Sequence, residues 1–299
     1  MAVSVAVDEP GILLEGPHWD GHTGTLLYVD IIGRKAHRWD PVTGQKDTVA
    51  MDCMVGAIVP RESGGVLVAA GTNFAFLDFE TSQLTTVAPV DQHKPTNRFN
   101  DGKCDAAGRF WAGTMPELEP PTPDQVERKV GSLYCLHTDH TVTKAFNETD
   151  ISNGLAWTSD NSTMYYIDSL QFSVDAFDFD LPTGTLTNRR KVVNFDQSTY
   201  GVPDGMCIDT DGKLWVAMFG TGQVLQVDPE TGTHLRSVKI PADQTTSCCF
   251  GGPNLDILYV TTANVGLSAE AVQQKPQSGC LFQVTGLGTT GTPGLCYKG

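Results

Sequence analysis

The chain has 299 residues and is acidic, since 20 Lys and Arg stand against 35 Asp and Glu for a formal net charge of −15 at pH 7. This charge excludes nucleic acid and anionic membranes as main partners, because proteins bind phosphate backbones largely through Lys and Arg. With 40% hydrophobic and 18% charged residues, the composition is that of a folded core. No apolar run approaches the roughly 20 residues of a membrane-spanning helix. The first residues, MAVSVAVDEPG, lack the basic start of a signal peptide. We therefore expect a cytoplasmic protein.

The eight cysteines show no CxxC pair and no regular spacing. They are too dilute for a disulfide scaffold, and the adjacent Cys248 and Cys249 are poorly placed to bridge each other. The pattern predicts buried, reduced thiols.

Short runs typical of β-strands recur along the chain at intervals of 40 to 55 residues. A period near 45 residues with several strands per unit is the pattern of a β-propeller blade. The sequence therefore predicts an all-β fold, a six-bladed β-propeller with a central metal-binding channel, in which residues 1–299 form a single domain. The runs are centred on Tyr28, Val68, Trp111, Tyr166, Trp215 and Tyr259.

Turns rich in Pro and Gly follow several of these runs, as in HRWDPVTG, AFDFDLPTG and LQVDPETG. Such turns connect antiparallel strands, so each repeat is predicted to be a meander. The longest interval contains the proline-rich, charged segment Met115–Lys129, which has no strand periodicity. We interpret it as a surface loop, either a lid over a site or an inert insertion.

An acid or amide followed by glycine precedes four of the strand centres by 10 to 13 residues. The positions in blades one, three, four and five are Glu15, Asp101, Asn153 and Asp204, whereas the equivalent places in blades two and six are uncharged. Asp-Gly and Asn-Gly are also common turn dipeptides, but a shared phase in four repeats favours one structural position at the mouth of the channel. Carboxylate and amide oxygens suit hard divalent cations such as Ca²⁺, Mg²⁺ or Mn²⁺.

Arg98 and Asn100 lie just before Asp101 in the segment NRFNDGK. Residues two apart in a strand share a face, so both side chains could reach the channel mouth and donate hydrogen bonds to a hydroxylated or carbonyl ligand.

The other motifs give weaker evidence about function. GLGTTG at 286–291 lacks a following helix and is a chance match to a dinucleotide motif, and His137 and His140 are predicted to lie in a hairpin turn. No HExxH or GxSxG motif is present.

Several long motifs resemble the gluconolactonase-like family over essentially the whole chain, among them NRFNDGK, DISNGL, PDGMCID, KLWVA and TTSCCFGG. The resemblance implies a six-bladed propeller with one divalent ion (Ca²⁺, Zn²⁺, Mn²⁺ or Mg²⁺) that hydrolyses sugar lactones such as D-glucono-δ-lactone. It implies that Glu15, Asn153 and Asp204 hold the metal and that Arg98 and Asn100 bind substrate. Asp101 is then expected beside the metal rather than bound to it.

The resemblance is weakest just after GTM, where a glutamate that contacts the sugar is expected. The aligned position is Leu118, with Glu117 or Glu119 as substitutes, and Glu117 is our prediction.

Asp204 is the predicted catalytic base. The alternatives are a calcium-binding regulatory protein and a metal-dependent organophosphate or ester hydrolase, since the family resemblance extends to diisopropylfluorophosphatase. We expect a monomer or a weak dimer.

Overall fold

The strands form six separate four-stranded antiparallel sheets in the computed structural model, which describes residues 1–117 and 127–299. Each of the first five sheets is a meander of four consecutive strands. The ranges by blade are β2 (Leu14–Asp20), β3 (Thr25–Asp30), β4 (Lys35–Trp39) and β5 (Lys46–Ala50); β6 (Val55–Pro60), β7 (Val66–Ala70), β8 (Asn73–Leu77) and β9 (Leu84–Pro89); β10 (Asn97–Cys104), β11 (Phe110–Pro116), β12 (Gly131–Leu136) and β13 (Val142–Thr149); β14 (Ser152–Trp157), β15 (Thr163–Asp168), β16 (Ser173–Asp180) and β17 (Thr185–Asn194); β18 (Val202–Ile208), β19 (Leu214–Phe219), β20 (Gln223–Asp228) and β21 (Thr233–Lys239).

The sixth blade joins the two ends of the chain. It contains β22 (Thr245–Gly251), β23 (Ile257–Thr262) and β24 (Leu281–Thr285), and β1 (Ala2–Val7) pairs antiparallel with β24 as its outer strand. Helical structure is limited to α1 (Gln197–Tyr200), α2 (Ala269–Gln274) and one 3-10 turn (Ser169–Gln171) among the described residues. None of these helices is long and apolar enough to span a membrane.

The first strands of the blades form a closed ring. β2, β6, β10, β14, β18 and β22 each contact the first strands of the two neighbouring blades. They therefore line the centre of a six-bladed propeller, and the predicted fold class is confirmed. All six predicted strand centres lie in the second strand of a blade and are at most 1% exposed.

The hydrophobic core is divided among the interfaces between neighbouring blades. Within the described part of the chain, six clusters of buried side chains each join two adjacent blades. Between blades three and four, for example, the Trp111 ring lies 6.4 Å from that of Trp157. Because burial of apolar area is the main favourable term in folding, this packing fixes how the blades are oriented about the channel.

The segment predicted as a loop begins later than expected. Met115 and Pro116 pair with Arg98 and Asn97 as the last residues of β11, because the strand partner in β10 extends that far. Residues 118–126, including Leu118 and Glu119, lie outside the described residues, so the lid remains a prediction. The other end of the segment is bound to blade four, where Arg128 and the Lys129 amide donate to the buried Asp150 carboxylate.

The C-terminal segment 286–299 crosses the ends of several blades. Its backbone hydrogen-bonds to blades six, two and three through Gly291, Tyr297 and Lys298. The Tyr297 ring is fully buried between blades two and three. The GLGTTG motif belongs to this segment and no helix follows it, which agrees with a chance match. His137 and His140 lie in the β12–β13 turn, as predicted.

All eight cysteines are free thiols, and six of them are buried. Cys248 and Cys249 are not bridged to each other. The prediction of unbridged, mostly buried cysteines is therefore confirmed.

Candidate metal centre

Four polar residues from four blades come together at one end of the channel. Glu15, Asn153 and Asp204 lie near the start of β2, β14 and β18, and Asp101 lies in the middle of β10. All four are buried, with exposures from 2% to 8%. Together with Arg98 and Asn100 they are called the channel site below.

A β-bulge explains why these side chains point into the channel. The pairing of each innermost strand with the second strand of its blade is interrupted at this position, between Phe99 and Gly102 in β10 and between Pro203 and Met206 in β18. The same irregularity occurs in the other four blades. A bulge adds a residue to one strand and re-aims the side chains there. Asn100, Asp101, Asn153 and Asp204 lie within these irregular steps, whereas Glu15 lies just before its own.

The glycines after Asp101, Asn153 and Asp204 have a packing role instead of forming a turn, whereas Gly16, after Glu15, has room for a Cβ but a left-handed φ of 54°. A Cβ at Gly154 would lie 2.7 Å from the Met206 amide nitrogen, and a Cβ at Gly205 would lie 2.0 Å from Ser247 Oγ. Neighbouring innermost strands approach so closely at these points that only glycine fits. The turn-dipeptide interpretation is therefore wrong for these positions, which lie within strands.

Arg98 and Asn100 share a face, as the strand alternation predicts. The Arg98 guanidinium donates to Asn100 Oδ1 at 2.8 Å and to the Phe99 carbonyl at 2.9 Å. Asn100 Nδ2 in turn donates to the Ser152 carbonyl in blade four, at 2.9 Å. Arg98 is 3% exposed and its Nε has no partner among the described residues. This leaves a buried donor directed at the site.

The carboxylates of the channel site raise one another's proton affinity. Burial raises the pKa of Glu15 well above its usual range, and the charges of Asp204 and Asp101 raise it further. Burial and the charge of Asp101 likewise raise the pKa of Asp204, against a hydrogen bond from Asn153 and the charge of Arg98. Burial lowers the pKa of Arg98 to about 10, so it is a cation at pH 7. A site with this charge balance is stabilised by an added cation or by protons.

Asp101 is the member of the channel site on which the charge of Lys103 acts. Burial raises its pKa, while the charge of Lys103 and the Gly102 amide oppose the rise. Its Oδ1 accepts from that amide at 2.7 Å. Lys103 was not predicted from the sequence. It extends from blade three to the Met206 carbonyl in blade five, at 2.7 Å.

The oxygen donors fit a divalent ion. Asn153 Nδ2 donates to Ser169 Oγ at 3.0 Å, whereas its Oδ1 is buried and has no partner within the described part of the chain. A buried amide oxygen without a hydrogen-bond partner, together with the carboxylates of Glu15 and Asp204, is the kind of donor set that hard cations prefer. The described residues contain no group of three or more His, Cys, Asp or Glu placed to hold a metal. The set is therefore two carboxylates and one amide.

Two further carboxylates anchor the strands that carry this set. Asp30 accepts from the Ile12 and Leu13 amides at 2.9 and 3.0 Å. Those amides lie three and two residues before Glu15. At the same spacing before Asn153, Asp168 accepts from the amides of residues 150 and 151 at 3.1 and 3.0 Å. Both aspartates could have been identified from the sequence, because each one ends the second strand of its blade, in LLYVD and MYYID.

We expect Asp168→Ala to weaken binding of a divalent ion at the channel site by roughly tenfold or more, the usual effect of losing a group that orients a ligand. The reason is that the backbone amides of residues 150 and 151, just before Asn153, lose the carboxylate that accepts their hydrogen bonds. The measurement is calorimetric titration of the chelated protein with Ca²⁺ and Mn²⁺. Asp160→Ala, an exposed turn residue of the same blade, is the control. Unchanged ion affinity in a destabilised Asp168→Ala variant would contradict the positioning role.

Glu117 lies at the edge of the site. Its side chain is exposed, and its charge opposes the lowering of the Arg98 pKa. Its amide donates to the Thr96 carbonyl at 2.6 Å. The other two residues considered for the sugar contact, Leu118 and Glu119, lie outside the described residues.

The sequence matches a known family over most of its length. The family described as "SMP-30/Gluconolactonase/LRE-like region" matches residues 13–264. Regucalcin from Danio rerio is 48% identical over 298 residues, which covers 99% of this chain and 98% of that protein.

Solved structures of similar proteins have the same fold. A luciferin-regenerating enzyme superposes with a TM-score of 0.92 at 34% identity, covering 99% of each chain. A regucalcin from Agrobacterium tumefaciens, described as a calcium-binding protein, superposes with a TM-score of 0.91 at 29% identity and covers 99% of this chain and 97% of its own.

Proposed function

The chain belongs to the SMP-30/gluconolactonase/LRE-like family, and we propose that it is a metal-dependent hydrolase that opens sugar lactones of the D-glucono-δ-lactone type to aldonic acids. The observation that carries the proposal is the buried set of Glu15, Asn153 and Asp204 beside Arg98, with the Asn153 carbonyl oxygen unpartnered. In this proposal those three residues hold one divalent ion, Ca²⁺, Zn²⁺, Mn²⁺ or Mg²⁺. When bound, the ion supplies Lewis acidity that polarises a carbonyl oxygen.

The protein side chains supply orientation and proton transfer. Arg98 and Asn100 hydrogen-bond the oxygens of the sugar and fix the lactone carbonyl toward the ion site. The Asp204 carboxylate takes a proton from a water molecule, which adds to the lactone carbonyl carbon. The bond from that carbon to the ring oxygen then breaks, and the proton passes to the ring oxygen, giving a hydroxyl and a carboxylic acid. Asp101 does not bind the ion. Its charge raises the pKa of Asp204.

Glu117 is the proposed additional contact to the sugar, because its charge acts on Arg98 from the exposed side of the site. The cytoplasmic location and the monomeric or weakly dimeric state remain predictions. So does the assignment of residues 1–299 to a single domain.

A calcium-binding regulatory role is the second candidate, favoured by the description of the Agrobacterium regucalcin as calcium-binding. The channel site is formed by four blades of a closed ring, and no EF-hand loop is present in the sequence. A site built into rigid sheets is poorly suited to a large calcium-driven change of shape.

The test compares substrates under identical conditions. Hydrolysis of D-glucono-δ-lactone and of a phosphotriester is followed by base uptake at constant pH, with and without EDTA. We expect EDTA-sensitive turnover of the lactone and much slower turnover of the phosphotriester. Preferred phosphotriester turnover would favour the ester hydrolase, and calcium binding without turnover of either would favour the regulatory protein.

A further inference from the structure

A second cavity opens at the opposite end of the channel. It has a volume of about 340 Å³ and is lined by the last residues of β2, β10, β14, β18 and β22. The channel site lies earlier in four of these strands, with Asp101 two residues before Lys103, so the two sites share the innermost strands but open at opposite ends. Thr292–Leu295 of the C-terminal segment covers part of this opening. It is called the far-mouth cavity.

The walls of the far-mouth cavity are mainly apolar. Trp19, Trp157 and Phe250 contribute aromatic surface, and Pro293 and Leu295 close one side. Ligand pockets typically combine such walls with a few polar groups, in volumes of about 300 Å³ or more. The cavity therefore has the size and lining of a site for a small molecule with an apolar body.

The one charged side chain among the described lining residues is Lys103. Its ammonium group carries three donors, and one of them is used by the Met206 carbonyl. Within the described part of the chain, no carboxylate lies within 4.0 Å of Lys103 Nζ. In a protein of net charge −15, this is a local positive site that has spare hydrogen-bond donors.

His18 is a second polar group of the lining. It is 7% exposed, and its Nε2 is buried without a hydrogen-bond partner among the described residues. Burial and the nearby Lys103 lower its pKa to about 4, so the imidazole is neutral at pH 7. Buried polar atoms are normally satisfied by protein, water or a ligand. Because Nε2 is itself buried, next to Gly294, His18 forms a closed part of the wall and carries no part of the proposal.

We propose that the far-mouth cavity binds a small carboxylate with an apolar body, with its carboxylate on Lys103 and its hydrocarbon part against Trp157 and Phe250. A single cation matches a monoanion, and a multiply charged phosphate would be repelled by the acidic protein. The site is distinct from the proposed lactonase site, and its existence does not depend on that activity.

The test uses octanoate as the probe and 1-octanol, which has the same chain without the charge, as the comparison. Calorimetric titration of the metal-loaded protein is expected to give saturable octanoate binding and much weaker octanol binding. Lys103→Met, which keeps the apolar stem, should weaken octanoate binding by at least about tenfold, since hydrogen bonds to charged groups are among the stronger ones. Lys103→Arg, which keeps the cation, should retain most of it.

A blocking variant locates the binding. Ser159 is exposed and lines the far-mouth cavity, so Ser159→Trp should obstruct the opening without touching the channel site. We expect it to abolish octanoate binding and leave lactone turnover unchanged. Three results would each overturn the proposal: no saturable octanoate binding to the wild type, equal binding by Lys103→Met, or unchanged binding by Ser159→Trp, which would place the carboxylate elsewhere.

Discussion

Asp204→Ala is expected to lower lactone turnover by about 10³-fold or more, because the substitution removes both a proposed ion ligand and the proposed base. It removes one of the two carboxylates of the proposed donor set, and affinity for the divalent ion should fall at least about 100-fold, beyond the effect of losing an orienting group. Initial rates and calorimetric ion titration on the same preparation measure both losses. Full activity in this variant would contradict the proposed scheme.

Asp204→Asn separates the two roles of this residue. The amide keeps an oxygen that can bind the ion but cannot take a proton, so ion binding should persist in part while turnover is lost. Asp211→Asn, an aspartate in the β18–β19 turn, is the matched control and should behave as the wild type. If Asp204→Asn turned over lactone normally, the base would be another group or water itself.

Arg98→Met is expected to lower kcat/KM for the lactone by roughly 100-fold, the usual scale for loss of a group that orients a substrate. The substitution leaves the Phe99 carbonyl and Asn100 Oδ1 without their donor. It also removes a positive charge that lowers the pKa of Glu15 and of Asp204. Both carboxylates should then hold protons more tightly, so the pH at which turnover rises should move upward.

Arg98→Lys distinguishes the charge of Arg98 from its geometry. Lysine restores the cation but lacks the fork of donors, so the pH profile of turnover should recover while KM stays high. Glu117→Gln is the control at the edge of the site. Because Glu117 is exposed, its loss should change kcat/KM by only a few-fold if it contacts the sugar. Arg98→Met with wild-type KM and a wild-type pH profile would show that Arg98 is only a packing residue.

The strand repeats and the shared phase of Glu15, Asp101, Asn153 and Asp204 could be predicted because both depend on a period that is visible along one chain. Every predicted strand centre is a buried residue of a second strand, where large apolar side chains fill the interface between blades. Once the blades are arranged in a ring, equivalent positions must meet. The repeat brings the four polar residues together, but the strand register does not put them at one position: Asn153 and Asp204 share a position, Glu15 lies one residue before it and Asp101 one residue after it.

The bulges were not predictable from the alternation of side chains. Strict alternation allows no extra residue, whereas β10 has one more residue than β11 between Phe99 and Gly102. The shared phase already disfavoured turns at the Asn-Gly and Asp-Gly pairs, but the close contacts at Gly154 and Gly205 involve neighbouring blades and are not visible in the sequence. Lys103 gave no signal, since its importance depends on reaching Met206 across the channel, a contact 103 residues apart in the sequence.

The central claim is that lactone hydrolysis depends on one divalent ion at the channel site, and the most direct test measures both quantities on the same protein. The chelated protein is titrated with Ca²⁺, Zn²⁺, Mn²⁺ or Mg²⁺, and bound ion and D-glucono-δ-lactone turnover are recorded at each step. We predict no turnover above background without ion, and a linear rise that ends at one ion per chain for at least one of the four. Full turnover in the ion-free protein, or one bound ion with no turnover for any of the four, would contradict the account.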